Sequence, residues 1–297
     1  MTAGGEPKRR ASPAVEAALL LTVFVFGTNF TAVKVVVDSV PPILFAATRF
    51  TLAGLLLLLL VPFLGKENLL RREDFLPVLG LGIVGITLTQ TVFTLGVSMT
   101  TAANTALVYS TAPVWGMLLG FVLGLERPRF AGVLGIGLSL FGVGFIVYGG
   151  LEFAGTSLVG DALILVAAVF WGSYTVFTIS LLERYSPLAL AAYAMTLGGL
   201  AAFPLAALEP GGFDIGPLDG LTWGAAAYSA LCSSAFGFAA WGWGVSHVGA
   251  NRVLIYQYLI TLTGVITGII LLGEDFGAGQ LIGAAVILCG VYLARRK

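Results

Sequence analysis

The 297-residue chain is 58% apolar and only 10% charged, and its 15 basic and 15 acidic residues cancel to a formal net charge of zero. A water-soluble domain carries about 25% charged residues, so this composition excludes a cytosolic enzyme, a nucleic-acid binder and a disordered chain. The dominant solvent is lipid.

Taken in chain order, apolar runs broken by turn residues predict ten helices, at roughly 17–37, 43–64, 76–95, 103–124, 130–149, 161–181, 188–208, 222–243, 252–272 and 278–294. Each is close to the ~20 residues that cross a bilayer. The breaks carry turn chemistry: Pro41-Pro42, Gly65-Lys66-Glu67-Asn68, Glu126-Arg127-Pro128, Ser186-Pro187, Pro210-Gly211-Gly212 and Gly273-Glu274-Asp275. The stretch 1–15 is polar and basic, and the run after it lacks a small-x-small cleavage site, so it reads as an anchor rather than a cleaved signal. Cys232 and Cys289 both sit inside apolar runs, which leaves neither a disulfide framework nor a thiolate metal site.

Ten spans put both termini on one side, together with the loops after helices 2, 4, 6 and 8. That side holds Lys8, Arg9, Arg10, Lys66, Arg71, Arg72, Arg127, Arg129, Arg184, Arg252, Arg295, Arg296 and Lys297, which is 13 of the 15 bases. The opposite loops hold none, and Lys34 and Arg49 remain inside or at the ends of helices 1 and 2. Under the positive-inside rule both termini are cytoplasmic.

The second half slides over the first at offsets of 144 to 148. Glu16 falls on Asp161, Pro42 on Pro187, Ala103-Asn104 on Ala250-Asn251, Tyr109 on Tyr256, Glu126 on Glu274 and Gly142-Val143 on Gly290-Val291. The organisation expected is a cytoplasmic tail (1–15), a first five-helix repeat (16–150), a second (151–294) and a basic end (295–297). Five spans is an odd number, so the second copy enters the membrane from the other side. The expected fold is an all-α integral membrane protein of ten transmembrane helices, arranged as two inverted five-helix repeats around a central cavity.

The first repeat reads FGTNFTAVKVVVDSVPPILFAATRF from Phe26 to Phe50, and both repeats close with a glutamate, a glycine nine residues later and another seven after that. This pattern resembles the EamA-type branch of the drug/metabolite transporter superfamily, with its WG-x-NF-x3-K opening and PP-x-x-x-A-x-x-RF second helix. It departs at Phe26, where the motif commonly has Trp, whereas the second repeat keeps Trp171-Gly172. The resemblance implies an inner-membrane carrier with a central cavity, often exporting amino acids or other small metabolites, with helices 5 and 10 peripheral.

Ionisable and polar groups at membrane depth are costly and usually face a cavity or a partner. At ~1.5 Å per residue, Asn29 lies about 3 Å from the midplane, Arg49 about 6 Å and Lys34 about 10 Å, all on the non-cytoplasmic side. Two cations beside an amide suit a substrate carboxylate, which arginine can bind with both arms; the alternative is that Lys34 and Arg49 snorkel to the interface or that Lys34 pairs with Asp38. Helix 3 adds Thr87, Gln90, Thr91 and Thr94 on one helical face. The second repeat offers Trp171, Tyr174 and Tyr256 as an aromatic wall, with Tyr109 opposite. Trp241 and Trp243 read as interfacial belt residues, His247 as a loop residue, and Pro113 either as a source of a mid-membrane kink or as an ordinary tolerated proline. All fifteen carboxylates fall in tails, loops or outermost helical turns.

The candidate substrate-binding set is therefore Asn29, Lys34, Arg49, Thr87, Gln90, Thr91, Tyr109, Trp171, Tyr174 and Tyr256. No catalytic or metal-ligating set is evident, nor any nucleotide motif. The expected function is a secondary transporter for an amino acid or related amphipathic metabolite. The alternatives are a carrier of another solute class (organic cation, sugar or drug) and a non-transporting membrane interaction protein. Expected partners are a small-molecule substrate and the lipid bilayer, with no nucleic acid, nucleotide or cofactor; a homodimer stays open.

Overall fold

The computed structural model describes residues 12–65, 68–124, 130–150, 158–210, 217–249, 253 and 256–295, and among them every regular element is helical. Most of the basic tail, the Glu126-Arg127-Pro128 break and Gly211-Gly212 lie outside the described residues. In chain order the helices are α1 (Pro13–Val37), α2 (Pro42–Leu58), α3 (Phe75–Gly82), α4 (Thr89–Met99), α5 (Ala102–Tyr109), α6 (Ala112–Val122) and α7 (Phe130–Gly150). They continue as α8 (Leu158–Leu182), α9 (Pro187–Ala206), α10 (Gly220–Tyr228), α11 (Phe238–Val248), α12 (Tyr256–Leu272) and α13 (Ala278–Arg295). Five stretches are long and apolar enough to cross a membrane: Pro13–Val37, Arg72–Met99, Ala102–Val122, Leu158–Leu182 and Pro187–Ala206.

Several of these stretches are not uniform α-helix. A π-helical segment, Ile83–Leu88, joins α3 to α4, and a second, Ser229–Gly237, joins α10 to α11. A π turn inserts a residue and turns the following side chains to a new azimuth, a distortion common at functional sites. The α5–α6 stretch is interrupted at Ser110-Thr111, just before Pro113, whose missing N–H cannot continue the hydrogen-bond ladder.

The helices pack in recurring pairs. α2 runs along α9, α7 along α13, α1 along α12 and α5 against α12, while α8 contacts α4 and α6. On α2 the residues Ala46, Arg49, Phe50, Ala53 and Leu57 form the buried stripe at helical spacing, and Leu52, Leu55 and Leu59 point outward. An outward apolar face and an inward stripe containing an arginine invert the usual soluble pattern.

Helix starts are tied across the chain. Pro41, at the start of α2, has no side-chain acceptor, and the Glu209 carboxylate accepts from Ile43 N at 2.9 Å and Leu44 N at 3.1 Å. At α5 the Glu274 carboxylate accepts from Ala102 N at 2.6 Å and Ala103 N at 2.8 Å. At α9 the Asn68 side-chain oxygen accepts from Ser186 N at 2.8 Å. Free N–H groups and the positive end of the helix dipole favour a carboxylate at such ends. Glu274→Ala is expected to lower stability by about 1–2 kcal/mol, the range for a partly screened charge-assisted bond. This would appear as an earlier thermal unfolding midpoint in detergent, partly restored in Glu274→Gln.

α10 is capped locally, by Asp219, which accepts from Thr222 N at 2.8 Å. Hydrogen bonds from Thr222 hold this carboxyl below its ordinary value. A depressed native value means the cap is at full strength above the ordinary aspartate range and is lost as pH falls through the lowered value. Protection of the Thr222 amide, the slowing of its exchange relative to the unstructured rate at the same pH, is therefore expected to fall only in acid.

Two carboxylates placed at the membrane edges by the sequence are in fact enclosed. Asp161 is 2% exposed; it accepts from Thr100 Oγ1 at 2.7 Å and Asn104 Nδ2 at 3.4 Å, and Asn104 Oδ1 accepts in turn from Gln280 Nε2 at 2.6 Å. Asp74 accepts from Arg184 Nη1 at 2.6 Å and the Tyr185 hydroxyl at 2.8 Å. The outermost turn of a helix is exposed only when no neighbouring helix overhangs it, and here neighbours do.

Candidate functional site

A cavity of ≈ 50 Å³ lies at the centre of the helices. Its wall takes Phe26, Asn29 and Phe30 from α1, Arg49 and Phe50 from α2, Gln90 and Phe93 from α4, Tyr109 from α5 and Trp171 from α8. Ser233 joins it from the second π segment, with Phe238 from α11 and Gln257 and Ile260 from α12. Ligand pockets usually measure about 300–1,000 Å³, so the chamber is contracted around room for a few waters.

Arg49 organises this chamber. It is 3% exposed, and none of the three ion pairs found among the described residues includes it. Its Nη1 donates to Ser229 Oγ at 2.7 Å, and Ser229 Oγ donates onward to Asn29 Oδ1 at 2.6 Å. Its Nη2 donates to Gln90 Oε1 at 2.9 Å, and its Nε has no partner among the described residues. The guanidinium lies over the Phe50 ring at 4.5 Å from the centroid and over Phe45 at 5.1 Å. Every group that meets this buried cation is neutral. Ring faces and dipoles soften the charge, but none of the described residues supplies the counter-anion that usually accompanies a buried charge.

An aromatic wall closes one side. Trp171 stacks on Tyr174 with centroids 5.2 Å apart, Phe238 meets Trp171 edge-on at 5.1 Å, and Phe26 meets Phe238 at 5.8 Å and Trp241 at 6.0 Å. Beyond it a crevice of ≈ 10 Å³ opens between α8, α9 and α11, lined by Tyr174, Thr178, Pro187, Trp241 and Val245 among others. Phe238 borders both spaces. Toward the opposite ends of these helices lies the Asp161–Thr100–Asn104–Gln280 network. The described residues contain no cluster of three or more His, Cys, Asp or Glu suited to a metal ion.

Among the residues singled out in the sequence, Asn29, Arg49, Gln90, Tyr109 and Trp171 share the central cavity. Tyr174 stands behind Trp171 and lines the crevice. Lys34 points away: its Nζ donates to Val97 O at 3.2 Å and lies 3.8 Å from Asp38. The Thr87 hydroxyl donates to Gly198 O at 2.7 Å and so ties the first π segment to α9. Thr91 is buried without a side-chain partner, and Tyr256 sits half-buried at the start of α12, both outside the cavity wall. Trp241, a belt residue by its place in the sequence, belongs to the buried aromatic wall, because α11 runs on to Val248 and leaves it well inside the helix. His247 lies in the last turn of that helix, its ring bonded to Trp243 O and Ser246 Oγ.

Ser229, Gln257 and Phe238 complete the site, and the sequence pattern does not single them out. Gln257 carries a legible signal, as a second glutamine inside an apolar run whose amide has few local partners. Ser229 carries none, since its position depends on the π turn.

Helices apolar on the outside and packed around one polar chamber with an arginine at its heart define a membrane protein of the carrier class. The chain belongs to the EamA-like transporter family, whose model matches residues 14–148 and again 158–296. It is 29% identical to an "Uncharacterized transporter" of Archaeoglobus fulgidus over 94% of this chain and 98% of that one. It is also 29% identical to a "Probable terminal-alkyne amino-acid exporter" of Streptantibioticus cattleyicolor, over 94% and 93%. Identity to a "Probable amino-acid metabolite efflux pump" of Salmonella typhimurium is 27%, over 92% of each. One crystal structure, 20% identical and matched over 96% of this chain and 97% of its own, shares the fold with a TM-score of 0.67.

Proposed function

We propose that this chain is a secondary transporter that moves a small amphipathic metabolite, an amino acid or a close relative, out of the cell by alternating access. The observation that carries this reading is Arg49, a buried guanidinium at the centre of the chamber with neutral partners alone and an unpartnered Nε. A substrate carboxylate supplies the missing counter-charge, and the aromatic side chains pack its apolar part. The names of two relatives, an amino-acid exporter and an amino-acid metabolite efflux pump, support the solute class and the direction.

The architecture proposed is ten spans in two inverted repeats, 16–150 and 151–294, with both termini cytoplasmic. Helix pairing supports it: counting α3–α4, α5–α6 and α10–α11 as single spans, the contacts between spans 1 and 9, 3 and 6, and 2 and 8 have counterparts between 6 and 4, 8 and 1, and 7 and 3. The two π segments occupy corresponding spans, and Asn68 at α9 mirrors Glu209 at α2. In this reading the aromatic wall closes the cytoplasmic side of the chamber and the Asp161 network the other. Rocking one repeat on the other opens each in turn.

The test is exchange of labelled amino acids by the purified protein in liposomes, with and without a pH gradient. Exchange that saturates and is lost in Arg49→Gln is the expected result. Absence of any saturable exchange across a panel of amino acids and their N-acylated relatives overturns the reading.

A further inference from the structure

The hydrogen-bond polarity of the chamber separates two kinds of carboxylate. An arginine has no acceptor, so Gln90 must turn its Oε1 toward Arg49 Nη2, at 2.9 Å, and its amide N–H groups face the other way. Asn29 likewise spends its Oδ1 on the Ser229 hydroxyl, at 2.6 Å. Neither amide nitrogen donates to a described protein atom, and both residues line the cavity. Arg49 Nε and Trp171 Nε1 are two further buried donors with no partner among the described residues. Four donor groups around one small space match the lone pairs of a single oxyanion.

The chamber lacks the complementary half of a zwitterion site. Among the described residues no aspartate or glutamate lines the cavity. The acceptors that do are neutral: the Gln257 amide oxygen and the Ser233 and Tyr109 hydroxyls. The two enclosed carboxylates are engaged elsewhere, Asp161 with Thr100 and Asn104 and Asp74 with Arg184 and Tyr185. A bound monoanion brings the chamber to neutrality. A bound zwitterion leaves a net positive charge, because its carboxylate offsets Arg49 and its ammonium then has no anion of its own, in surroundings where unpaired charge is expensive. Apart from Ile260 the rest of the wall is aromatic, from Phe26, Phe30, Phe50, Phe93 and Phe238, which favours an aryl group over a polar tail.

We infer that the central site selects a net monoanionic carboxylate with an apolar aryl group, such as an arylalkanoic acid or an amino acid whose nitrogen is acylated, over the free zwitterionic amino acid. This deepens, and rests on, the transport reading above. Nitrogen acylation removes the ammonium and leaves the carboxylate and side chain unchanged, so one substrate scaffold isolates the variable.

The experiment is calorimetric titration of the full chain in lipid nanodiscs, where passive leakage of weak acids is irrelevant. The probes are 3-phenylpropionate, N-acetylphenylalanine, phenylalanine and 2-phenylethylamine, which share an aryl group and differ in charge. The expected result is that the two monoanions bind at least tenfold more tightly than phenylalanine and that 2-phenylethylamine does not compete. In Arg49→Lys, which keeps the charge but not the fork, the two monoanions still outrank phenylalanine with weaker binding throughout. Phenylalanine binding as tightly as 3-phenylpropionate or more tightly overturns the inference and leaves a carboxylate-binding carrier standing. Failure of all three carboxylates to bind overturns both.

Discussion

Arg49→Gln is expected to reduce saturable exchange of a carboxylate substrate by about 30-fold to several thousandfold, the equivalent of the 2–5 kcal/mol lost when one partner of a buried, hydrogen-bonded charge pair is removed. Thermal stability of the unliganded protein is expected to stay within about 1 kcal/mol of the parent, because removing a buried charge that has no counter-ion relieves a desolvation penalty as it sacrifices hydrogen bonds. These opposite expectations separate a binding role from a structural one. A guanidinium that merely held α2, α4 and the second π segment together would, on removal, lower the unfolding midpoint and the exchange rate in step. Arg49→Lys is expected to fall between, since a lysine cannot reach Ser229 and Gln90 at once in the planar geometry seen here. The measurements are initial exchange rates in liposomes and the unfolding midpoint followed by intrinsic fluorescence in detergent.

How much of this chamber is legible in the sequence follows from what depth and azimuth each require. Depth is simple arithmetic. Counting residues from helix centres puts Asn29 and Arg49 within about 3 Å of each other in depth, on two antiparallel helices joined by the Pro41-Pro42 turn, and the structure joins them through Ser229. Azimuth needs the helix to be regular and its neighbours known. Lys34 lies five residues after Asn29, about 140° further round α1 at 3.6 residues per turn, and it faces Val97 and Asp38. Thr87 shares a predicted stripe with Gln90, but it lies in the π segment, and its hydroxyl reaches α9. A π turn leaves little mark in composition. Trp241 departs from its expected place for a different reason: the predicted span ends at 243, whereas the helix continues to Val248. Asp161 depends on an overhanging neighbour, which no local pattern encodes.

Gly198→Leu is expected to be the most destructive single substitution outside the chamber, costing more than about 3 kcal/mol, the upper end of overpacking penalties. α3 crosses α9 backbone to backbone. A Cβ at Gly198 would collide with the Gly82 carbonyl oxygen and come 2.7 Å from Ile86 Cβ, and one at Gly82 would come 2.7 Å from the Ala194 carbonyl oxygen. Backbone cannot swing aside as a flexible side chain can. The residues Ala194, Gly198 and Ala202 recur every four positions along α9, the small-residue spacing that lets helices in lipid approach closely. Apolar side chains gain little from burial when the alternative is lipid, so close approach of this kind carries much of the association. The same contact sets the Thr87 hydroxyl 2.7 Å from Gly198 O, at the π segment that leads into Gln90. Spreading α3 from α9 therefore disturbs the chamber as well as the packing. Gly80→Leu is the matched control: Gly80 sits on the same helix as Gly82, a Cβ added there would meet nothing within 4 Å, and replacing glycine gains about 1 kcal/mol of helix propensity. Detergent-solubilised Gly198→Leu is expected to lose its monodisperse peak on size-exclusion chromatography, while Gly80→Leu elutes and exchanges substrate as the parent does. Monodisperse Gly198→Leu with parental exchange would mean that α9 can withdraw from α3 without affecting the site, and the coupling through Thr87 would then be discarded.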